Sequence, residues 1–313
     1  MAVPFLAPFG VQAENYPAKP VRLVVPFAPG GGADVVGRLL AQRLGESMKG
    51  QFVVDNKSGA GGVIGTDIVA KAAPDGYTLL LAPSSHVVNP SVYTRLPYDT
   101  EKAFEPISLV ASATVLLAAN AKVPAKDLKS YIAAARKGNA QLANYGSAGN
   151  GTVFHLVAEQ FRRSTQLDLQ HVAYRGGGPA TAALVAGEIP ILFETAITLQ
   201  PHVKSGAVIP YAVTSPQRSP LFPDVPTIAE LGYPELTVSN DYALYAPAGT
   251  PKAIVRQLSQ AVLKVANGSD FKARLWVQGT TVPASSPEQL GLYVKREIQR
   301  WHGVARQARI TAD

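Results

Sequence analysis

The chain has 313 residues and no cysteine, which excludes disulfides, thiolate metal sites and cysteine nucleophiles. Hydrophobic residues make up 47% of it and charged residues only 16%, which favours a globular chain of two ordinary domains over a disordered or coiled-coil protein. The net charge of +7 favours anionic ligands, but the basic residues are scattered, so no nucleic-acid partner is predicted. No apolar run is long enough to span a bilayer.

Residues 1–13 differ in composition from the rest of the chain. They are apolar and end in Val11-Gln12-Ala13, directly before the polar pair Glu14-Asn15. This pattern is typical of the end of a secretory signal with its cleavage site, although a basic beginning is missing. We therefore interpret residues 1–13 as a signal-peptide remnant and expect a periplasmic protein, the alternative being an unstructured tail.

The stretch Val21–Leu40 reads as a strand, a glycine turn and a helix. An apolar β-branched run from Val21 to Val25 predicts a buried strand, which Pro26 and Pro29 end. Gly30, Gly31 and Gly32 then allow a sharp turn and the close approach of a ligand. Asp34 suits the first turn of a helix, whose free N–H groups form an anion site. A connecting turn without a ligand is the alternative.

The same alternation of strand and helix continues along the chain and predicts an α/β fold with doubly wound sheets. Further strands are predicted at 52–54, 77–82, 107–119, 142–145, 169–174, 189–193, 210–214 and 237–246. Further helices are predicted at 64–72, 126–135, 154–161, 180–186, 251–266 and 287–306. Residues 215–234 contain five prolines and are interpreted as a surface connection.

Two strand-like segments flank the middle of the chain, near 108–119 and 236–247. They predict one domain inserted into another, joined by two hinge strands around a cleft. We assign residues 16–112 and 240–313 to domain 1 and residues 113–239 to domain 2.

Motifs for catalysis, cofactors and metals are weak. The glycine stretch 59–65 fails the dinucleotide pattern because Ile64 occupies the position of its last glycine, and no phosphate-binding P-loop pattern is found. Ser84, His86 and Asp241 have no spacing that supports a catalytic triad. No two histidines have a metal-ligand spacing. The sequence therefore predicts no catalytic residue, no cofactor and no metal.

One sequence pattern with functional meaning is repeated: four strands end in small or hydroxyl residues just before a helix. These turns are 30–32, 84–85, 147–152 and 175–178, two in each predicted domain. Helix N-termini favour carboxylates and phosphates, so two such sets suit a ligand that is anionic at both ends. Tight connections without a ligand are the alternative.

Ordered motifs from about Tyr16 to Trp301 also resemble a known family. They are Tyr16-Pro17, Val25-Pro26-Phe27, Pro29-Gly30-Gly31 with Asp34, Gly59-Ala60-Gly61-Gly62, Pro74-Asp75-Gly76-Tyr77, Tyr145-Gly146-Ser147, Tyr174-Arg175-Gly176-Gly177, Pro223-Asp224-Val225-Pro226 and Ala246-Pro247-Ala248-Gly249. The chain resembles the Bug family, the periplasmic substrate-binding receptors of tripartite tricarboxylate transporters.

The resemblance implies a two-domain periplasmic binding protein of the flytrap, type II-like kind, which closes on a small carboxylate without catalysis. In that family the loop after the first strand grips one carboxylate, partly through water, and the residue at Phe27 packs over the ligand. The loop at 147–152 and the end of the strand at 189–193 hold the other end. The predicted ligand-binding residues are Phe27, Pro29, Gly30, Gly31, Ser84, Ser85, Ser147, Gly149, Asn150, Thr152, Arg175, Gly176, Glu194, Thr195 and Asp241.

Two departures from the family pattern concern the pocket. The family commonly has Asp where this chain has Glu194, and Trp where it has Asp241. Either acid would repel a ligand carboxylate unless it is protonated or paired. Our hypothesis is that Glu194 contacts the ligand and helps to set its class, the alternative being an acid that points to solvent.

The predicted function is capture of a small organic anion, a mono- or dicarboxylate that is aromatic in some cases, by a monomer. The protein would deliver it to membrane transporter subunits or to a sensor domain. The alternative from another class is an α/β enzyme, such as a nucleotide-dependent oxidoreductase.

Overall fold

The computed structural model of the protein describes residues 16–308 and 310–312, so the predicted signal remnant at 1–13 lies outside the described residues. The strands found in the described part of the chain are β1 (Val21–Val25), β2 (Phe52–Asn56), β3 (Thr78–Pro83), β4 (Phe104–Asn120), β5 (Asn144–Ser147), β6 (Gln170–Ala173), β7 (Ile191–Thr195), β8 (Val208–Val213), β9 (Ser239–Pro247) and β10 (Thr280–Thr281).

The helices found in the same ranges alternate with these strands. They are α1 (Gly32–Met48), α2 (Val63–Ala70), α3 (Ser85–Val88), α4 (Leu128–Ala135), α5 (Val153–Thr165), α6 (Gly177–Ala186), α7 (Ala196–Lys204), α8 (Lys252–Asn267), α9 (Ser269–Trp276) and α10 (Pro287–Ala308). None of the helices described is long and apolar enough to cross a membrane.

The sheet consists of two halves with the same plan. In the first half β2, β1 and β3 are parallel, and β9 and then β4 continue the sheet in antiparallel fashion. In the second half β6, β5 and β7 are parallel, and β4 and then β8 follow in antiparallel fashion. The α/β prediction is therefore confirmed, with the correction that each half is a mixed sheet, because the crossing strands run against the parallel ones.

The long strand β4 joins the two halves. It pairs with β9 through Thr114 and with β7 from Val115 onward. The returning segment runs beside it, since the backbone N–H of Val238 donates to Thr214 and that of Thr214 donates to Val115. The exchange of partners lies between Thr114 and Val115, close to the predicted boundary at 112/113, and the domain boundaries stay a prediction.

Burial explains why the predicted apolar runs form strands. Leu23, Val24 and Val25 in β1 are fully buried, as a strand covered by helices on both faces requires. In α1 the buried residues Val36, Leu40 and Leu44 lie on one helix face and pack in the same core as β1. The loops at the carboxyl ends of the parallel strands are therefore held between well-packed strands and helices.

Three elements were not predicted from the sequence. α7 contains Pro201, a residue that argues against a helix interior, although the first turns of a helix tolerate it better. α9 is eight residues long and buries only Phe271 and Leu275, so its apolar pattern is weak. β10 has two residues and exists only through its pairing with β4.

Candidate functional site

A small cavity, part of it open to solvent, lies between the two halves of the sheet. It is lined from the first half by Phe27, Gly31, Gly32, Ala33, Pro83, Ser85, Asn240 and Tyr242, and from the second half by Ala148, Thr152, Val153, Phe154, Gly177 and Glu194. Most of these residues lie at or just after the carboxyl ends of parallel strands, where α/β sheets bind ligands, whereas Asn240 and Tyr242 belong to the antiparallel strand β9.

Three helices begin at the wall of this cavity. Gly32 starts α1, Val153 starts α5 and Gly177 starts α6, and all three residues line it. The first N–H groups of a helix have no partner within the helix, and they carry a partial positive charge. The cavity therefore offers backbone donors to an anion from both halves of the sheet.

The two halves touch across the mouth of the cavity through their glycine loops. The backbone N–H of Ala28 donates to the carbonyl of Arg175 over 3.1 Å. A Cβ atom on Gly31 would lie only 3.3 Å from the nitrogens of Gly177 and Gly178. Glycine is needed here because the two backbones approach each other directly. The structure is thus the closed arrangement of the two halves.

Glu194 is the acid in the cavity wall. It is the penultimate residue of β7 and is 1% exposed. Its Oε1 accepts hydrogen bonds from the backbone N–H and the hydroxyl of Thr195, at 2.7 and 2.8 Å. Burial raises the pKa of Glu194 to about 7, and the two bonds from Thr195 only partly oppose that rise. Among the cavity-lining residues of the described chain, no other side chain carries a charge near neutral pH.

Tyr242 and Asn240 complete the polar wall, and sequence reasoning missed both as site residues. Tyr242 is fully buried, and its Oη accepts a hydrogen bond from Asn240 Nδ2 over 3.0 Å. A Cβ on Gly32 would overlap this hydroxyl, so α1 begins directly against it. Burial raises the pKa of Tyr242, which keeps the phenol neutral. Alternation along β9 could have indicated that Asn240 and Tyr242 share a face that Asp241 does not.

Five of the predicted site residues line the cavity: Phe27, Gly31, Ser85, Thr152 and Glu194. The hydroxyl of Thr152 caps α5, since it accepts from the backbone N–H of His155 and donates to the carbonyl of Gly149. Thr195 lies behind Glu194 as its hydrogen-bond donor. The roles of these residues toward a ligand stay predictions.

Ser147 and Ser84 do not line the cavity. Ser147 is fully buried, and its Oγ lies 2.6 Å from His171 Nε2 and 3.1 Å from the backbone nitrogen of Gly149. Ser84 Oγ accepts from the backbone N–H of Asp241 over 2.8 Å. Both hydroxyls therefore hold loops that border the cavity.

Asp241 also lies outside the cavity wall. Its carboxylate accepts hydrogen bonds from Ser112, from Ser239 at 2.9 Å and from Tyr293 at 2.7 Å. These partners come from β4, β9 and α10, so Asp241 connects the crossing strands with the last helix. Glu194 therefore lines the cavity and Asp241 does not, although both were predicted from the sequence as ligand-binding residues.

The remaining predicted residues form the mouth where the two halves meet. Pro29, Gly30, Asn150 and Arg175 are exposed, and Gly149 and Gly176 lie beside them. The carbonyl of Asn150 lies 3.4 Å from Tyr93 Oη of the first half. A Cβ on Gly176 would lie 3.1 Å from the nitrogen of Ala28. These residues hold the closed arrangement.

A metal site is not found within the described part of the chain, where no three His, Asp or Glu side chains group around a common point. The lining of the cavity consists of helix starts, apolar and neutral polar side chains and one buried acid.

The sequence model of the protein family described as tripartite tricarboxylate transporter family receptor matches residues 36–309 of the chain. The protein BugT of Bordetella pertussis is 39% identical over 303 residues, which cover 95% of this chain and 91% of that protein.

Solved structures show the same fold. The periplasmic binding protein BugD superposes with a TM-score of 0.92 at 34% identity, covering 95% of this chain and 99% of its own. MatC from Rhodopseudomonas palustris, with bound malate, gives 0.88 at 34% identity over 92% and 99% of the two chains. Rpa4515 from R. palustris, with adipate, gives 0.91 at 33% identity over 95% and 99%.

Proposed function

Because the chain belongs to the tripartite tricarboxylate transporter receptor family, we propose that it captures a small organic carboxylate in the cavity between its two halves. It does so in the periplasm, as a monomer, and delivers the ligand to membrane transporter subunits or to a sensor. The ligand leaves chemically unchanged.

The observation that carries this proposal is the convergence of α1, α5 and α6 on one cavity between the two halves. Helix N-termini from both halves line one cavity, so an anion bound there would bridge the halves and favour their closure. The malate in MatC and the adipate in Rpa4515 support a carboxylate as the anion. The periplasmic binding protein BugD supports the location.

A thermal-shift screen against mono-, di- and aromatic carboxylates tests the proposal. A ligand that binds only the folded protein stabilises it by about 2.7 kcal/mol at a hundred times its Kd, and so raises Tm. We expect at least one carboxylate to raise Tm. Mass spectrometry after incubation should then detect this carboxylate chemically unchanged. If no carboxylate shifts Tm, or if the ligand is converted, the proposal is wrong.

A further inference from the structure

Glu194 has one carboxylate oxygen that is satisfied and one that is free. Its Oε1 holds the two hydrogen bonds from Thr195, whereas Oε2 is buried and has no hydrogen-bond partner among the described residues. A Cβ on Gly177 would overlap Oε2, so this oxygen lies at the start of α6, where the helix faces the cavity. A buried polar atom without a partner indicates that a bound molecule supplies one.

No cation faces this carboxyl group in the described part of the chain. Thr195 and Thr198 approach from β7 and α7, Gly177 from α6, Gly32 from α1, and Asn240 and Tyr242 from β9. On β4, the residue paired with Glu194 is Leu116. Tyr242 is the titratable group in this set, and it is neutral.

A carboxylate that enters this cavity meets Glu194 in a space of low dielectric. Two ionised carboxylates in one closed site repel each other, and one of them takes up a proton instead. The proton belongs on Oε2, because Oε1 already accepts two hydrogen bonds and cannot also donate. Since burial has raised the pKa of Glu194 to about 7, protonation requires little free energy at neutral pH.

We propose that Glu194 is a specificity-determining residue of this site and that it binds the ligand as a neutral carboxylic acid, with Oε2–H donating to a carboxylate oxygen. This inference rests on the proposed function. The proton comes from solvent, so the ionised protein, one proton and the anionic ligand form the complex, and no covalent bond of the ligand changes. In this neutral form, Glu194 favours a carboxylate over an ammonium group at this end of the ligand.

Calorimetry with malate and adipate between pH 6 and 9 tests the inference, because both probes are mainly dianions over this whole range. We expect the Kd of the wild type to be constant below about pH 7 and to rise about tenfold per pH unit above it. Titrations at pH 8 in two buffers of different ionisation enthalpy should show about one proton taken up per ligand.

Glu194→Gln is the matched variant. Thr195 holds its carbonyl oxygen, so its NH₂ group takes the position of Oε2 and donates as the neutral acid would. We expect Glu194→Gln to bind without pH dependence and without proton uptake, with a Kd within about threefold of the wild type at pH 6. Glu188→Gln removes an exposed charge and should behave as the wild type.

The outcomes separate the inference from the function on which it rests. Binding with a Kd independent of pH, or binding that tightens as pH rises, overturns the inference alone, because the ionised acid would then be compatible with the ligand or pair with a donor on it. No binding of malate or adipate at any pH overturns the inference for these carboxylates, and the wider screen decides the function. The proton-uptake measurement uses the wild type and does not depend on how the variant folds.

Discussion

At the scale of single residues, Glu194 and Asp34 show how partners decide the state of a buried carboxyl group. Burial by itself acts to raise the pKa of both carboxyl groups. For Asp34, hydrogen bonds from Arg38 and from the backbone N–H of Gly30 outweigh burial, so its pKa is lowered. For Glu194 the two bonds from Thr195 do not suffice, and its pKa rises to about 7. The first acid fixes a helix start, whereas the second is free to respond to a ligand.

This difference predicts a pH-dependent stability of the ligand-free protein. The unfolded chain ionises Glu194 near its ordinary pKa of 4.5, whereas the folded chain does so only near 7, so the wild type loses stability as pH rises through this interval. Relative to the wild type, Glu194→Gln should gain roughly 3 kcal/mol between pH 4 and 8, at about 1.4 kcal/mol per pKa unit. Urea unfolding at both pH values measures this gain.

Comparing Glu194→Gln with the wild type at each pH cancels the contribution of all other titrating groups to the free energy of unfolding. Glu188→Gln provides the control, because its carboxylate is exposed and its gain over this range should be close to zero. A gain for Glu194→Gln no larger than that of the control would show that Glu194 has an ordinary pKa in the folded protein.

At the scale of elements, the contact between the two glycine loops controls closure. Gly178, in the first turn of α6, faces the loop of the other half, and a Cβ on it would lie 2.6 Å from the carbonyl oxygen of Pro29. That oxygen belongs to a backbone that cannot move aside without displacing the start of α1. The loops therefore meet only while this position lacks a side chain.

Gly178→Ala should weaken ligand binding about ten- to a hundredfold, since overpacking costs roughly 1–3 kcal/mol and this cost falls on the closed state. Calorimetry with the carboxylate found in the screen measures the change. Gly303→Ala is the matched control, because Gly303 lies in α10 and a Cβ there has open space. Equal affinities of the two variants would exclude the loop contact as a part of closure.

At the scale of the whole molecule, the crossing strands suit a hinge between two rigid halves. β4 changes its partners between Thr114 and Val115, and the segment at Val238 crosses beside it. On either side of this crossing, each half has its own parallel strands and helices. A rotation at the crossing would open the cavity while each half keeps the pairing of its own parallel strands.

Small-angle X-ray scattering should therefore show a smaller radius of gyration with saturating carboxylate than without ligand. Gly178→Ala, which keeps the hinge but not the loop contact, should stay closer to the open value at the same ligand occupancy. An unchanged radius in the wild type, at an occupancy confirmed by calorimetry, would contradict hinge closure.

Much of the fold could be predicted from the sequence because its signals are local. Apolar β-branched runs such as 21–25 and the glycines that follow them predict strand, turn and helix within about twenty residues. Predicted strand bounds shifted by two residues at Asn144–Ser147 and Ile191–Thr195 and by three at the start of β4, because hydrogen bonding to neighbouring strands decides where a strand ends.

The sequence by itself determined that helices start after strand ends in both parts of the chain, that no thiol chemistry is available and that Glu194 and Asp241 depart from the family pattern. Only the tertiary structure decided which acid faces the cavity. Asp241 is drawn toward β4 and α10 by Ser112 and Tyr293, whereas Glu194 lies against Gly177 and Tyr242, which are distant in sequence. The physical reason is that burial and hydrogen-bond partners set the charge of a carboxyl group, and both come from contacts between distant segments.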